Sequence, residues 1–316
     1  MKVTLEEAAK MLLENDNIVI LSHEHPDGDT LGCAYALKIA LNSLGKKVKT
    51  LCADEPSKKY SYMFQGIEND DFDDERFVVS VDVADDKLLG DTLQSRYMGK
   101  IDLVIDHHAS NKLGCKFSYV DPSAAAACEI IYELLQIIGI PIDKKIADCL
   151  YTGLSTDTGC FRYSNTTART LKMAAELVEL GADNFYINTV MFETKSRTYM
   201  RLETLVMEKM QMYFDDKCCL AYITRDMYEK SGSNENETDP IASKTRQIEG
   251  VLVGVTLREK ADGSFKVSVR TNGDLDASEI CACLGGGGHP KASGCQVDGP
   301  LEEAKGKMLD VVKKFL

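Results

Sequence analysis

The 316-residue sequence predicts an α/β protein of two lobes, a parallel-sheet N-terminal lobe followed by a smaller α/β lobe. Three observations carry that expectation. Short, almost wholly apolar runs recur in the first half between polar or glycine-bearing loops, the pattern of strands buried on both faces of a sheet. Helical periodicity fills the intervals and dominates from Ser123 to Leu180. After a charged, Met-containing segment near residues 193–215 the composition restarts with a second set of apolar runs.

Taken in order, residues 17–22 (NIVILS) read as a first strand, and residues 31–44 (LGCAYALKIALNSL) as a helix closed by Gly45. Residues 48–52, 77–82 and 102–106 are three further strands. Gly139-Ile140-Pro141 and the stretch Gly159–Asn165 break the helical region. The expected boundaries are residues 1–190 for the first lobe, 191–212 for a linking helix and 213–316 for the second lobe. There, residues 218–224, 251–259 and 265–271 are expected strands, with a polar loop at 231–239. Helices are expected near 242–249, before the glycine run, and at the C-terminus.

Composition narrows the function. A formal charge of −13 opposes binding along a long polyphosphate, so extended duplex DNA is an unsuitable partner, while a small anion can still enter where local cations reverse the field. The opening residues carry acids throughout, and no apolar run approaches the roughly 20 residues of a membrane span, so a cytoplasmic protein with no membrane contact is expected. The eleven cysteines are scattered and never spaced Cys-x-x-Cys, and most read as reduced core residues.

The chemistry collects at strand ends. His23-Glu24-His25-Pro26-Asp27-Gly28-Asp29 follows the first strand, Asp82 ends the third, and Asp106-His107-His108 ends the fourth. Open parallel sheets place ligands at that carboxyl edge. Asp157, in the Ser/Thr/Gly-rich stretch after a helix, can return to the same edge. A single Asp after a strand ordinarily caps a helix or turn. All five histidines of the chain, however, fall in these strand-end segments or in the later glycine run. Neutral imidazoles with carboxylates suit two divalent ions of the manganese, iron, cobalt or zinc type better than magnesium alone.

The segments HPDGD, VDVAD, DHH and STDTG, in this order, resemble the four motifs of the DHH-superfamily phosphoesterases, which bind two manganese ions. The resemblance implies that His23, Asp27 and Asp82 hold one metal, and Asp29, Asp82, His107 and Asp157 the other, with Asp82 bridging. It makes Asp82, Asp106, His107 and His108 the catalytic group, with Asp106 and His108 orienting the ligands or touching the scissile phosphate. Manganese is the expected ion, with cobalt, iron or magnesium as alternatives. His25 falls outside the pattern and reads as a solvated loop residue. Two such metals can supply an activated water and neutralise charge on the transferring phosphoryl group.

In the second lobe, residues 284–294 (LGGGGHPKASG) can turn backbone N–H groups and the donors His289, Lys291 and Ser293 toward an anion. No Walker A or dinucleotide fingerprint is present. This segment, with SVRTNGDLDASEI before it, is similar to the DHH-associated domain. The resemblance implies substrate contacts from Arg270, Gly286, Gly287, Gly288, His289 and Ser293, an active site in the cleft between the lobes, and closest kinship to standalone oligoribonucleases. Enzymes of that branch hydrolyse 2–5-nucleotide oligomers such as pApA and pGpG to 5′-monophosphates, and 3′-phosphoadenosine 5′-phosphate (pAp) to AMP and phosphate. A cyclic di-AMP phosphodiesterase, or a nucleotide sensor without turnover, is the alternative. A homodimer is one option for the oligomeric state.

Overall fold

The computed structural model describes residues 1–235 and 238–316, so Asn236 and Glu237 of the expected polar loop lie outside the described residues. The chain divides into two compact units, Met1–Thr194 and Lys195–Leu316. In the first, the order is α1 (Leu5–Glu14), β1 (Ile18–Leu21), α2 (Gly28–Ser43), β2 (Val48–Leu51), α3 (Ser61–Phe64), β3 (Phe77–Val81), α4 (Gly90–Tyr97), β4 (Leu103–Asp106) and β5 (Phe117–Val120). Four helices follow: α5 (Ala127–Ile138), α6 (Lys144–Asp157), α7 (Ala168–Glu179) and α8 (Asn184–Asn188). The five strands are parallel in the order β2-β1-β3-β4-β5.

Alternate residues along β1 explain why this sheet needs two covered faces. Ile18 and Ile20 join a core built with α1, α2, α5, α6 and α7, whereas Val19 and Leu21 join another built with α4, Phe72 and Leu113. The sequence reading misses β5, whose residues are all half-buried at the sheet edge and lack the continuous apolar run of the inner strands. It also starts α2 three residues late, because the N-cap acid and glycine in the PDGD stretch read as loop.

The second unit runs α9 (Arg197–Met207), β6 (Gln211–Tyr213), β7 (Cys218–Ile223), α10 (Arg225–Ser231), α11 (Asp239–Ala242), β8 (Val253–Glu259), β9 (Phe265–Thr271), α12 (Ala277–Ala282), β10 (Gly287–His289), β11 (Ala292–Val297) and α13 (Leu301–Val312). Its sheet has the order β10-β11-β9-β8-β7-β6, with only β7 and β8 parallel. α12 and α13 bury Ile280, Met308 and Val312 with Val255 and Val267 in one core. α9 and α10 bury Leu202, Val206 and Met227 in another, with Ala221 and Ile223.

Two expectations change here. α9, expected within a separate linking helix, packs Tyr199, Leu202 and Val206 onto β7 of the second unit, and residues 211–213 form a strand. The helix expected at 242–249 is instead a 3₁₀ turn at Thr245–Gln247 after α11. Thr245 is buried against Gly254 of β8, where a Cβ would fall 2.3 Å from its Oγ1, so the turn follows the sheet surface. The glycine run contains a strand: Gly287–His289 pairs antiparallel with Ala292–Gly294 at the sheet edge. Among the described residues no helix is long and apolar enough to cross a membrane.

Candidate active site

Local structure delivers the acids of the first unit. Asp27 caps α2, its Oδ1 accepting the N–H groups of Asp29 (2.9 Å) and Thr30 (3.1 Å), so the capping role and a site role coexist in one carboxylate. Thr30 Oγ1 donates to the Val81 carbonyl (3.1 Å), tying the start of α2 to the end of β3. Asp82 then leaves β3 at a φ of 56°, an uncommon left-handed conformation for a residue with a side chain. Its N–H donates to Ile105 O (3.0 Å), which holds that turn in place. Asp157 is the last residue of α6 rather than part of a loop after it.

These elements converge. His23 Nε2 lies 3.6 Å from Asp27 Oδ1 and 3.8 Å from Asp82 Oδ2. His107 Nε2 lies 3.3 Å from Asp157 Oδ2, 3.6 Å from Asp82 Oδ1 and 3.9 Å from Asp29 Oδ2. Asp82 thus faces both imidazoles with its two oxygens. Such separations are too long for good hydrogen bonds, and near the ~3 Å or slightly more that separates neighbouring ligands bonded to one cation at about 2.0–2.2 Å.

Tautomers point the same way. His23 Nδ1 sits 2.7 Å from Glu24 O and His107 Nδ1 3.2 Å from Ala124 O. A carbonyl only accepts, so each Nδ1 is the donor there and each Nε2 is the ring atom turned to the carboxylates. Asp82 Oδ1 and His107 Nε2 are buried with no hydrogen-bond partner. Burial pushes the Asp82 and Asp157 carboxyls well above the usual carboxylate range, and Asp29 upward, with the like charges of their neighbours adding to the rise for Asp82 and Asp157. Orphaned acceptors and crowded carboxylates at one point call for positive charge. The residues fit a divalent metal, in the groups His23–Asp27–Asp82 and Asp29–His107–Asp157.

Asp106 is placed differently. Its oxygens accept the N–H groups of His107 (2.7 Å) and His108 (3.2 Å), His108 Nδ1 (2.8 Å) and Asn111 Nδ2. That saturation leaves it an orienting group for both histidines. The bond from His108, working against burial, holds Asp106 below the usual range, and the same bond raises His108.

Several contributors escaped the sequence reading. α5 has Ala126 at its N-cap and no capping side chain, and its first N–H groups, on Ala127 and Cys128, donate to Asp29 at 2.6 and 2.9 Å. The sequence carries no signal for it, since Ser123 ahead of the alanines is itself an ordinary cap residue. Asn111 ties Asp106 to Val83 O (2.9 Å). Gly153 lets α6 approach α2: a Cβ there would fall 2.2 Å from Cys128 Sγ and 2.6 Å from Asp29 Oδ1. His25 is 85% exposed, as a solvated loop residue is, yet its Nδ1 stands 2.5 Å from Asp54 Oδ2.

In the second unit, Arg270 on β9, Ala292 on β11 and His289 on β10 are successive cross-strand partners, a register that aligns Arg270 with His289. Ser293 Oγ donates to His289 O (2.7 Å), fastening the hairpin that holds Gly286, Gly287 and Gly288 near its start. Lys291 is spent internally, its ammonium donating to the carbonyls of Gly273 and Leu275.

Comparison with known proteins matches the family described as "DHH family, N-terminal domain" to residues 17–154, and the DHHA1 domain to residues 215–316. A bifunctional oligoribonuclease and PAP phosphatase NrnA of Thermus thermophilus is 30% identical over 95% of this chain and 90% of its own length. A probable enzyme of the same name from Streptococcus mutans is 31% identical over 88% and 89%. Among solved structures, an exopolyphosphatase-related protein from Bacteroides fragilis superposes with a TM-score of 0.90 at 25% identity, covering 98% of this chain and 96% of that one.

Proposed function

The chain belongs to the DHH family, and on that premise we propose that it is a cytoplasmic two-metal phosphoesterase that hydrolyses short oligonucleotides of two to five residues to nucleoside 5′-monophosphates, and pAp to AMP and phosphate. The observation that carries this reading is the pair of unpartnered buried atoms, Asp82 Oδ1 and His107 Nε2, within a ring of further carboxylates and an imidazole.

His23, Asp27 and Asp82 hold one divalent ion in this reading, and Asp29, Asp82, His107 and Asp157 the other, with Mn²⁺ the proposed metal. When bound, the pair supplies Lewis acidity toward the phosphoryl oxygens and activates water. The chain's own residues do the rest. The carbonyls of Glu24 and Ala124 fix the imidazole tautomers, and the α5 amides hold Asp29. Asp106 orients His108, whose ring stands 4.4 Å from that of His107 and is the proposed contact to the scissile phosphate. Arg270, Gly286, Gly287, Gly288, His289 and Ser293 are the proposed substrate contacts from the second unit.

One leaving group unites the two activities. In pAp the 3′-phosphate departs from the ribose 3′-oxygen, and the internal phosphorus of pApA carries the same 3′-oxygen. Protein loaded with Mn²⁺ and given pAp, pApA, pGpG, cyclic di-AMP, pyrophosphate and a 20-mer should turn over pAp and the linear dinucleotides fastest. In ¹⁸O-water the label should enter phosphate from pAp, and the 5′-phosphate of the downstream AMP from pApA. Preference for pyrophosphate or the 20-mer, or label in a 3′-hydroxyl, overturns the proposal, and preference for cyclic di-AMP moves it to cyclic dinucleotides.

A further inference from the structure

Beside the acidic cluster, between α2 and the carboxyl end of β2, the first unit contains a cavity of about 260 Å³ that has no part in the ligand set. Ser22, just past β1, lines it with Leu31, Ala34 and Tyr35 of α2 and with residues 50–56 of β2 and the loop after it. Its wall is fastened stepwise to the loop that bears His23. Ser22 N–H donates to Leu51 O (3.0 Å), the Cys52 thiol to His23 O (3.1 Å), and His25 N–H to Asp54 Oδ2 (2.9 Å). Leu31 and Ala34 lie roughly one and two turns beyond Asp27 on α2. A ligand phosphate held at the cluster therefore has this cavity as its immediate neighbour.

The lining chooses the occupant. Its only charged side chains are the carboxylates of Asp54, whose Oδ2 is already taken by His25, and Glu55; their remaining oxygens accept hydrogen bonds and disfavour anions. A second phosphate is thereby excluded, and a neutral group rich in N–H donors is favoured. Buried Leu31 and Ala34 close the cavity's inner wall, and half-buried Tyr35 presents an aromatic ring to it, buttressed by Phe64 with centroids 5.4 Å apart. The volume is somewhat below the ~300 Å³ at which drug-sized pockets begin, a scale suited to a single heterocycle.

We infer that this cavity is a base-binding subsite for one nucleotide of the substrate, and that its carboxylates favour bases bearing an exocyclic amino group, adenine, guanine or cytosine, over uracil. The inference rests on the nucleotide phosphoesterase reading above and adds to it a place where the base is recognised.

Calorimetric binding to the Mn²⁺-loaded protein tests it without turnover. AMP should bind about tenfold or more tightly than ribose 5-phosphate, the margin a stacked base provides, and more tightly than UMP. Ala34→Leu, which fills the cavity from α2, should erase the margin between AMP and ribose 5-phosphate. Should that buried substitution disturb folding, Ala53→Leu at the exposed rim carries the same test. Equal binding of AMP and ribose 5-phosphate by the native protein, or a margin that survives filling, overturns the subsite. A margin that vanishes on filling supports it even in a protein that hydrolyses none of the substrates, a result that would overturn the hydrolase reading alone.

Discussion

The two units hold their candidate residues in opposite ways. In the first, Asp29, Asp82 and Asp106 are buried, and three of the site residues are held by main-chain groups from a different element: α5 amides on Asp29, Ala124 O on His107, β4 on the Asp82 amide. In the second, Gly287–His289 is an exposed edge strand, and Arg270 is half-buried two strands away on the face it shares with His289. Ligands for metals must be set within tenths of an ångström before substrate arrives, whereas contacts to a departing product must be reachable. In the proposed function this difference separates chemistry from grip, and substitution can break it.

The largest effect should come from the residue facing both histidines. Asp82→Asn should lower turnover by about three orders of magnitude or more and reduce bound metal, while raising the melting temperature of the metal-free protein, because a crowded buried charge is gone. Initial rates, metal analysis and calorimetry check the three parts, and a variant that kept both metal and rate would remove Asp82 from the site. Next is a change that touches no ligand chemically. Gly153→Ala drives a methyl into Asp29 and Cys128, and should cost about 1–3 kcal/mol of stability together with metal affinity. Denaturant titration with and without Mn²⁺ reports both.

The second unit should respond in kinetics alone. Arg270→Ala should lower kcat/KM roughly 10- to 150-fold, the range of a charge-assisted hydrogen bond, with metal content unchanged. Loss of metal in that variant would break the division between the units, and unchanged kinetics would free Arg270 from the substrate. The smallest effect belongs to His25→Ala. Its pairing with Asp54 is largely exposed, so metal content should hold and rates should fall by at most about fivefold.

What the sequence made legible follows physical lines. Inner strands such as Phe77–Val81 are buried throughout, and continuous apolar runs announce them, whereas β5 at the edge is half-solvated and carries no such run. His23, Asp82 and His107 could be named as candidates because few side chains bind metals and because strand ends were recognisable, whereas Asp157 closes α6 and was marked only by its Ser/Thr-rich setting. Main-chain groups have no such signature. The amides of Ala127 and Cys128 and the carbonyl of Ala124 act through position, and position depends on how α5 packs against α2. His289 was visible as a residue, but its place on a strand was hidden by glycines that ordinarily interrupt sheets.

The bare N-terminus of α5 also gives the site a spectator. The hydrogens on the Ala127 and Cys128 amides are donated to a carboxylate from a helix almost one hundred residues earlier in the chain. Their exchange with solvent deuterium therefore requires Asp29 to move away. A cation that anchors Asp29 should slow these two amides selectively, while β-strand amides deeper in the same unit exchange only through global unfolding. The pair would then record occupancy of the site in a folded, silent protein, with no substrate and no turnover.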